Sequence, residues 1–482
     1  MIKRFYIMAA TLFCLAASCT QEPTGKTVYL KDYLTEEMLC DDAEPAIRKA
    51  LEECLNSNGS TLVLPGGTLH IKPDFCYGNY QKISNNDPSD KRMAFDIVGA
   101  EGLTIEGNGT TLMFSGFISP FNIKDSKNIS INDLNIDYTR TFHSEGLITD
   151  SGKDWVRLRF PKDYKVNQES GILVFKDDYR NEYPYGNLLE FDSSKKEVAH
   201  YVRDYWVWGP GLQAEALPDG EYKVYEKDIK VTKGNILVFG AASRLNPAFT
   251  LDGCDGFNLK NVNIWHCGGM GVIAQRSCDL ELDNVKVVPS PGKDRMISIT
   301  ADATHFINCK GYIKMIGCTF MNQKDDATNI HGWYSVARRK ISDNQLLLWS
   351  HYGMDFACDG MMMELVNHNT MMTYDTLEVS SVYKYNDDLS VVTFTESLPE
   401  CFEEKDVLAD IPSNPDVTIT GCVFGNNRAR GLLIGSRGKV VIENNHFHVP
   451  GAAILFEGDG NYWYEQSGVR DVTIRNNVFE NC

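Results

Sequence analysis

The stretch VTITGCVFGN, from Val417 to Asn426, decides the fold of this 482-residue chain. It is an alternating strand that breaks at a glycine and is followed by a second short strand. Similar segments are FNLKNVNIWHC from Phe257, LELDNVKVV from Leu280, IKMIGCTFMN from Ile313, VVIENNHFHV from Val440 and VTIRNNVFEN from Val472, with earlier copies from Leu103 and Ile129. The equivalent corner residues are Asn261, Asn284, Gly317, Gly421, Asn444 and Asn476, and two of the intervals between them are 23 residues long. A repeat of this length is typical of one coil of a parallel β-solenoid.

The repeat predicts an all-β protein in which each coil buries its apolar row against the next coil. Asparagine and glycine at the corners accept left-handed backbone geometry, and stacked asparagine side chains can form hydrogen-bonded ladders. Helical periodicity is confined to residues 43–55, AEPAIRKALEECL. We expect this helix to cap the open end of the solenoid, because an uncovered edge invites aggregation.

Two stretches, 140–240 and 332–415, interrupt the repeat and alternate as strands do, but they are too long to be loops. We interpret them as small β-barrel domains inserted between coils. The predicted order is a signal peptide at 1–19, a cap and first coils at 27–139, a barrel at 140–240, central coils at 241–331, a second barrel at 332–415 and last coils at 416–482. Because no capping segment follows the last coil, we expect the chain to be incomplete at that end.

The N-terminus predicts export. Lys3 and Arg4 precede a short apolar run, which ends in small residues before Cys19. This pattern is typical of a bacterial lipoprotein lipidated at Cys19, with an ordinary secretory peptide as the alternative. We therefore expect a lipid anchor at the outer membrane or periplasm of a Gram-negative cell envelope.

Charge and cysteine content exclude several classes of function. The formal net charge of -18 disfavours nucleic acid as a partner, because such a surface repels phosphate backbones. The 14 cysteines show no metal-binding spacing, so no zinc site is predicted. Cys318 and Cys422 fall at equivalent repeat positions, which indicates thiols stacked in the core.

Three acidic residues converge when the strands are written in one register. The strands are MGVIA from Met270, DATHF from Asp302, DATNI from Asp326, RGLLI from Arg430 and AILF ending at Phe456. Neighbouring coils lie roughly 4.8 Å apart, so Asp302 and Asp326 become neighbours, with Asp325 adjacent and Arg430 on the next coil. Carboxylates this close cannot all ionise freely, so one pKa should rise. A glycosidase needs such an acid and base pair.

Three other interpretations of the acids compete. They are a solvated surface turn, a calcium site and a structural ion pair with Arg430. The stacked third acid, Asp302, argues against the surface turn, and the basic Arg430 argues against a metal. We therefore predict no metal and no cofactor.

The segments TADATHF, NQKDDATNI and RARGLLIGS resemble the active-site coils of polygalacturonase-type glycosidases, which are right-handed parallel β-helices. Two features differ from that family. Arg430 replaces the histidine of a Gly-His-Gly motif, and the basic Arg-Ile-Lys that grips a uronate carboxylate is missing. Both the missing grip and the acidic net charge favour a neutral sugar.

The whole chain resembles glycoside hydrolase family 110 still more closely, through the cap helix, the stretch VNIWHCGGMGVIAQRSCDLELDNVKV, the acid coils and both insertions. The resemblance implies an exported, exo-acting, inverting α-galactosidase. Its substrate would be terminal α-1,3-linked galactose on blood-group-B-type branched glycans, linear glycans or both. It would need no cofactor.

The resemblance also implies roles for single residues. Asp325 would be the general acid, while Asp302 and Asp326 would hold and deprotonate the water; Asp302 is the alternative acid. Acid and base carboxyls of an inverting enzyme lie roughly 6.5–9.5 Å apart. Further candidates for binding the substrate are Arg430, His305, Asn329, His331, Glu457, Trp265, His266 and Trp333. For His305, Trp265, His266 and Trp333, a purely structural role is the alternative.

Two other functions remain open on the sequence. One is a non-catalytic glycan-binding surface lipoprotein, since solenoid faces form long grooves. The other is a polysaccharide lyase, which would use a basic residue near calcium on an acidic substrate. Neither requires a trio of stacked acids, which is the feature that favours the glycosidase.

Overall fold

The computed structural model describes residues 25–162, 164–351, 357–466 and 468–482. The predicted signal peptide at 1–19 and its Cys19 lie outside this part of the chain. None of the helices formed by the described residues has the length and apolarity that a membrane crossing requires.

The predicted cap is the helix Glu44–Leu55, which begins one residue later than expected. Its buried residues recur at helical spacing and are Ala46, Ile47, Ala50, Leu51 and Cys54. They pack against the first strands of the solenoid. A short helix, Glu36–Cys40, and the 3-10 turns Leu30–Asp32 and Pro73–Phe75 complete the helical structure of the described residues.

The solenoid has two long sheets with mainly parallel pairing. The strands of the first sheet are Thr27–Tyr29, Thr61–Val63, Thr68–Ile71, Thr104–Phe114, Lys127–Tyr138, Asp255–Ile264, Cys278–Asp283, Lys286–Val287, Lys310–Ile316, Thr319–Met321, Asp416–Thr420, Val423–Gly425, Lys439–Glu443, His446–His448, Asp471–Arg475 and Val478–Phe479. The second sheet contains Tyr77–Gln81, Ser89–Val98, Ile118–Lys124, Phe249–Asp252, Val272–Gln275, Thr304–Ile307, Thr328–Ser342, Leu432–Ile434, Ile454–Leu455 and Glu465–Gln466. The predicted parallel β-helix is confirmed.

The corner residues behave as the repeat predicts. Asn261, Asn284 and Asn444 have φ values of 53°, 52° and 59°, in the left-handed region. Nδ2 of Asn284 donates to Oδ1 of Asn261 at 2.8 Å, and Nδ2 of Asn261 donates to Oδ1 of Asp133 at 2.9 Å. This ladder ties three successive coils together at the same corner.

The interior contains stacked side chains from equivalent positions. Cys318 and Cys422 are buried, and the backbone N–H of Cys318 donates to Sγ of Cys422 at 3.3 Å. The cysteines within the described ranges are free thiols. The rings of Phe424 and Phe447 stack with centroids 5.1 Å apart, and those of Phe447 and Phe479 follow at 4.9 Å.

This stack predicts a large and position-dependent cost of removing a ring. We expect Phe424→Ala to lower the free energy of unfolding by about 3–5 kcal/mol, because it leaves a cavity between two coils. Urea unfolding followed by circular dichroism measures the change. Phe479→Ala is the matched control, and its effect should be smaller because that ring is 50% exposed. Equal losses in the two variants would contradict the stacking argument.

The first interruption forms an antiparallel sheet and a separate hairpin. The sheet strands are Ser144–Gly152, Trp155–Arg159, Tyr185–Asp192, Glu197–Val198, Tyr205–Trp206, Ala214–Ala216, Tyr222–Tyr225 and Ile236–Ala241. The hairpin strands Lys165–Glu169 and Ile172–Lys176 cover this sheet, and Phe175 of the hairpin contacts Phe239 of the sheet.

The second interruption is a closed barrel. The long strand Thr328–Ser342 leaves the solenoid and pairs with both ends of the added sheet, through Val336 opposite Trp349 and Tyr334 opposite Ala409. The other strands are Gln345–Trp349, Met362–Val366, Thr373–Lys384, Leu389–Phe394 and Val407–Asp410. One continuous strand thus belongs to the second solenoid sheet and to the barrel, so the barrel begins directly beside the acid coils.

Candidate active site

The outer face of the second sheet carries the acidic residues. Thr304 pairs with Thr328, and Thr328 pairs with Leu432, so the three strands lie side by side in register. The predicted register is confirmed. It places Asp302 beside Asp326, whose backbone N–H donates to Oδ1 of Asp302 at 3.3 Å.

The three carboxylates of Asp302, Asp325 and Asp326 meet at the floor of one cavity of about 740 Å³. One oxygen of each lies within 4.8 Å of the others. Asp302 and Asp326 are buried, with 3% and 1% of their surfaces exposed, whereas Asp325 is half-buried. The distances between these acids join single oxygens, and they are shorter than the roughly 6.5–9.5 Å expected between the acid and base carboxyl groups of an inverting enzyme.

Two guanidinium groups hold two of the acids. Nε and Nη2 of Arg430 donate to Oδ1 and Oδ2 of Asp326, each at 2.8 Å, and the backbone N–H of Arg430 donates to Oδ1 at 3.0 Å. Nη2 of Arg244 donates to Oδ2 of Asp325 at 2.5 Å. Such charge-assisted bonds stabilise ionised carboxylates, and Asp326, which accepts three of them, is the acid whose charge they hold most firmly.

A chain of hydrogen bonds places a proton on Asp302. Nδ1 of His331 lies 2.6 Å from the carbonyl oxygen of Gly332 and must donate to it, which leaves Nε2 of His331 as an acceptor. Nε2 of His305, 3.0 Å away, therefore donates to His331. Nδ1 of His305 is then an acceptor, and it lies 2.5 Å from Oδ2 of Asp302. With both histidines neutral in this arrangement, the proton between His305 and Asp302 belongs to the Asp302 carboxyl.

The pKa shifts agree with one proton on the buried pair of Asp302 and Asp326. Burial, and then the charge of Asp325, raises the pKa of Asp302 to about 8. Burial lowers the pKa of His305 to about 4 and also lowers the pKa of His331. Burial and the neighbouring Asp302 raise the pKa of Asp326 to about 8 as well, against the opposing effect of Arg430. Two adjacent carboxyls titrate as a pair, and the three bonds from Arg430 keep the charge on Asp326 and the proton on Asp302.

Among the residues that the structure describes, three clusters have the spacing of cation ligands; one, Asp255 with Cys278 and Asp279, is not among the residues that line the cavity, and the other two are at or beside it. These two are the acid trio and the group of His305, His331 and Glu465. In the trio, Arg430 already occupies both oxygens of Asp326, and Arg244 occupies one oxygen of Asp325. A cation there would have to displace two guanidinium groups, so the donor set suits acid and base chemistry better than metal binding.

Most of the candidate residues predicted from the sequence line the cavity. They are Asp302, Asp325, Asp326, Arg430, His305, Asn329 and Glu457. His331 lies behind His305 and contacts it through Nε2, so it supports the cavity from the second row.

Three predicted residues are not at the cavity, and their proposed contact with sugar is corrected. His266 is buried, where Nε2 accepts from the N–H of Phe142 and Nδ1 donates to the carbonyl of Ser298. Trp265 lies at the corner after the first sheet, away from the acid face. Trp333 is buried in a hydrophobic cluster with Ile83, Met270 and Ala301, while its backbone pairs with the strand Glu465–Gln466.

Several cavity residues were missed by the sequence reasoning. Arg244 and Asn85 belong to no repeat. The side-chain amide of Asn85 lies 3.3 Å from Nε2 of His305. Other missed residues are Trp206, Arg428, Asp459, Tyr462, Trp463 and Glu465. They lie on loops, in the first inserted domain or, for Glu465, on the short antiparallel strand Glu465–Gln466, where no repeat register predicts their position. The only signal was the position of Arg428 two residues before Arg430.

The first inserted domain is anchored beside the acids. Nζ of Lys324 donates to Oδ1 of Asn187 at 2.6 Å, and Nδ2 of Asn187 donates to Oδ1 of Asp204 at 3.3 Å. Asp204 also accepts from Nε of Arg428 at 3.1 Å. Burial lowers the pKa of Lys324 to about 8. This polar chain fixes a wall of the cavity to the coil that carries the acids.

The chain is similar to several known proteins. The family models described as GLAA-B beta-barrel domain I and GLAA-B beta-barrel domain II match residues 144–237 and 350–408. Alpha-1,3-galactosidase A of Shewanella woodyi is 32% identical over 100% of this chain and 80% of its own length. Alpha-1,3-galactosidase B of Bacteroides thetaiotaomicron is 27% identical over 98% of this chain and 78% of its own. A solved family 28 exopolygalacturonase of Yersinia enterocolitica aligns over 94% of this chain and 59% of its own, with 12% identity and a TM-score of 0.35.

Proposed function

The chain belongs to the bacterial alpha-1,3-galactosidase family, glycoside hydrolase family 110, and we propose that it hydrolyses terminal α-1,3-linked galactose from glycans. The observation that carries the proposal is the trio of Asp302, Asp325 and Asp326 at the floor of one cavity, with a guanidinium on two of them. A binding protein gains nothing from clustering three carboxylates and burying two of them, because each buried acid must be paired or protonated. Glycoside hydrolysis requires both an acid and a base at such a site.

We propose that the enzyme acts from the end of the glycan. The acids lie on the buried floor, while the loop of residues 456–466 and the first inserted domain contribute walls. A terminal sugar can reach such a floor, whereas an internal sugar could enter only with the glycan continuing on both sides of it. Asn329, Glu457 and Arg430 line the same space and can bind hydroxyl groups of galactose.

Asp325 is the proposed general acid. It is the most exposed of the three acids, and Arg244 engages only its Oδ2. Its other oxygen can donate a proton to the glycosidic oxygen as the bond to the sugar breaks. Asp302 carries a proton too, but that proton is directed toward His305.

Asp326 is the proposed base, and Asp302 completes the water site. Burial in a low-dielectric floor makes Asp326 a stronger base than an exposed carboxylate. Its two oxygens already accept bonds from Arg430, so it is poorly placed to attack the sugar directly. A water held by Asp302 and Asp326 is therefore the nucleophile, and the reaction inverts the anomeric configuration.

The decisive test is the anomer released at early times. Purified protein is incubated with a linear α-1,3-galactosyl oligosaccharide and, separately, with a fucosylated blood-group-B-type oligosaccharide. We expect proton NMR to show β-galactose first and α-galactose only after mutarotation. Retention is the alternative outcome, because carboxyl oxygens within 4.8 Å resemble the roughly 5 Å spacing of retaining enzymes. Release of α-galactose first would overturn inversion. Glycan binding with no galactose release would overturn the enzymatic function itself.

A further inference from the structure

Aromatic side chains surround the mouth of the catalytic cavity. Trp206, Tyr462 and Trp463 all line it, and 57%, 70% and 45% of their surfaces are exposed. Large exposed aromatic rings that converge on one concave site usually mark a binding surface. No step of the proposed hydrolysis uses them.

Trp206 is held by a built support rather than by a free loop. It ends the strand Tyr205–Trp206, which pairs with Tyr185–Asp192 through Asn187 opposite Trp206. Asp204, two residues earlier, forms an ion pair with Arg428 of the solenoid. The ring is therefore fixed in position relative to the coil that follows the acids.

Tyr462 and Trp463 lie on a tight turn organised by one carboxylate. Asp459 accepts the backbone N–H groups of Asn461 at 2.8 Å, Tyr462 at 3.0 Å and Trp463 at 2.5 Å. The rings of Tyr462 and Trp463 meet edge to face with centroids 4.8 Å apart. Such a turn presents both rings at low cost in conformational entropy, since the backbone is already ordered.

Depth separates the aromatic mouth from the acid floor. Asp302 and Asp326 are nearly inaccessible, whereas Trp206 and Trp463 are about half-exposed. A cavity of about 740 Å³ is larger than a single hexose fills. With galactose on the floor, the next sugar of the glycan occupies the mouth.

We propose that Trp206 and Trp463 form a stacking platform for the neutral sugar to which the terminal galactose is linked. Each ring covers the apolar C–H face of a pyranose and removes it from water. The platform sets the preference for oligosaccharides over simple galactosides. This inference rests on the proposed galactosidase function, because it takes the floor to be the galactose site.

The test compares a substrate with an acceptor sugar to one without. We measure kcat/KM for a linear α-1,3-galactosyl trisaccharide and for α-galactosyl fluoride, whose leaving group is a single atom. We divide the kcat/KM for the trisaccharide by the kcat/KM for the fluoride. In Trp206→Ala and in Trp463→Ala, we expect this ratio to fall by about 10- to 100-fold. Trp208→Ala is the matched control, because Trp208 lies on the same segment, is 85% exposed and does not line the cavity. Its ratio should equal that of the wild type.

A ratio that stays at the wild-type value in both cavity variants would overturn the platform, as would an equal loss on the two substrates. A wild-type protein that hydrolyses neither substrate overturns the proposed function instead. In that event, calorimetric titration with the trisaccharide and with free galactose tests the platform directly. Weaker trisaccharide binding in Trp206→Ala than in Trp208→Ala then supports it, and equal binding refutes it.

Discussion

Replacing Asp325 by Asn lowers kcat on an α-1,3-galactosyl disaccharide by about 10³- to 10⁴-fold, and lowers it far less on α-galactosyl fluoride. A sugar leaves as an unstable alkoxide unless it is protonated, whereas fluoride leaves without a proton. Asn retains the size of Asp325 and an oxygen that can accept from Arg244, so the substitution removes the proton and preserves the shape. Initial rates of galactose and fluoride release give the comparison.

Asp326→Asn is the control for this assignment. Both substrates still need an attacking water that loses its proton, so we expect this variant to lose activity on both. The result that contradicts the assignment is selective retention of fluoride hydrolysis in Asp302→Asn instead of Asp325→Asn. That outcome would make Asp302 the acid, and the proton held between Asp302 and His305 would then be the one transferred.

The acid floor could be predicted from the sequence because a solenoid converts sequence register into spatial position. Strands of adjacent coils pair residue by residue, so the alignment of DATHF with DATNI also specified which side chains touch. The contact of Arg430 with Asp326 followed from the same rule. In an ordinary globular fold, residues this far apart in sequence would have had no predictable separation.

The same dependence on the repeat register explains why the walls and mouth of the cavity could not be predicted from the sequence. Arg244, Asn85 and Trp206 lie outside the repeat, and their positions depend on how inserted segments pack on the solenoid. Arg244 reaches Asp325 only because the chain returns from the first inserted domain beside the acid coil. No periodicity in the sequence encodes that return.

The aromatic residues show the limit of reasoning from residue type alone. Trp333 is an aromatic residue two positions after His331, yet Ile83 and Met270 cover its ring, and its backbone pairs with the strand Glu465–Gln466. Trp463 belongs to the turn just before that strand, and it is the ring that faces the cavity. Which of the two tryptophans is buried and which lines the cavity depends on residues distant in sequence, and therefore on tertiary structure.

Asp302 should destabilise the folded protein at neutral and alkaline pH, and replacing it by Asn should relieve this cost. Its folded-state pKa is raised to about 8, above the value of about 4 expected in the unfolded chain. Between those values the folded state binds a proton that the unfolded state does not, so stability falls as pH rises. Once the pH exceeds the folded-state pKa, the loss is complete.

Asn at position 302 imitates the protonated acid. Its Oδ1 can still accept from the N–H of Asp326, and its amide can donate to Nδ1 of His305 as the carboxyl does. We expect Asp302→Asn to raise the free energy of unfolding by about 1–3 kcal/mol at pH 8, with the gain shrinking toward pH 4. The same variant should lose about 10²- to 10³-fold in kcat, because the water site loses a carboxyl. Urea unfolding across this pH range and initial rates measure the two effects.

Asp302→Ala separates the loss of charge from the mimicry of a proton donor. It removes the same carboxyl but leaves Nδ1 of the buried His305 without a donor and opens a small cavity, so it should be less stable than Asp302→Asn at every pH. If Asp302→Asn is instead less stable than the wild type at pH 8, then Asp302 is an ionised carboxylate that accepts from a protonated His305. The proton would in that case belong to the histidine, and the floor would hold an ionised Asp302 beside a buried imidazolium, a state that the burial of both groups strongly opposes.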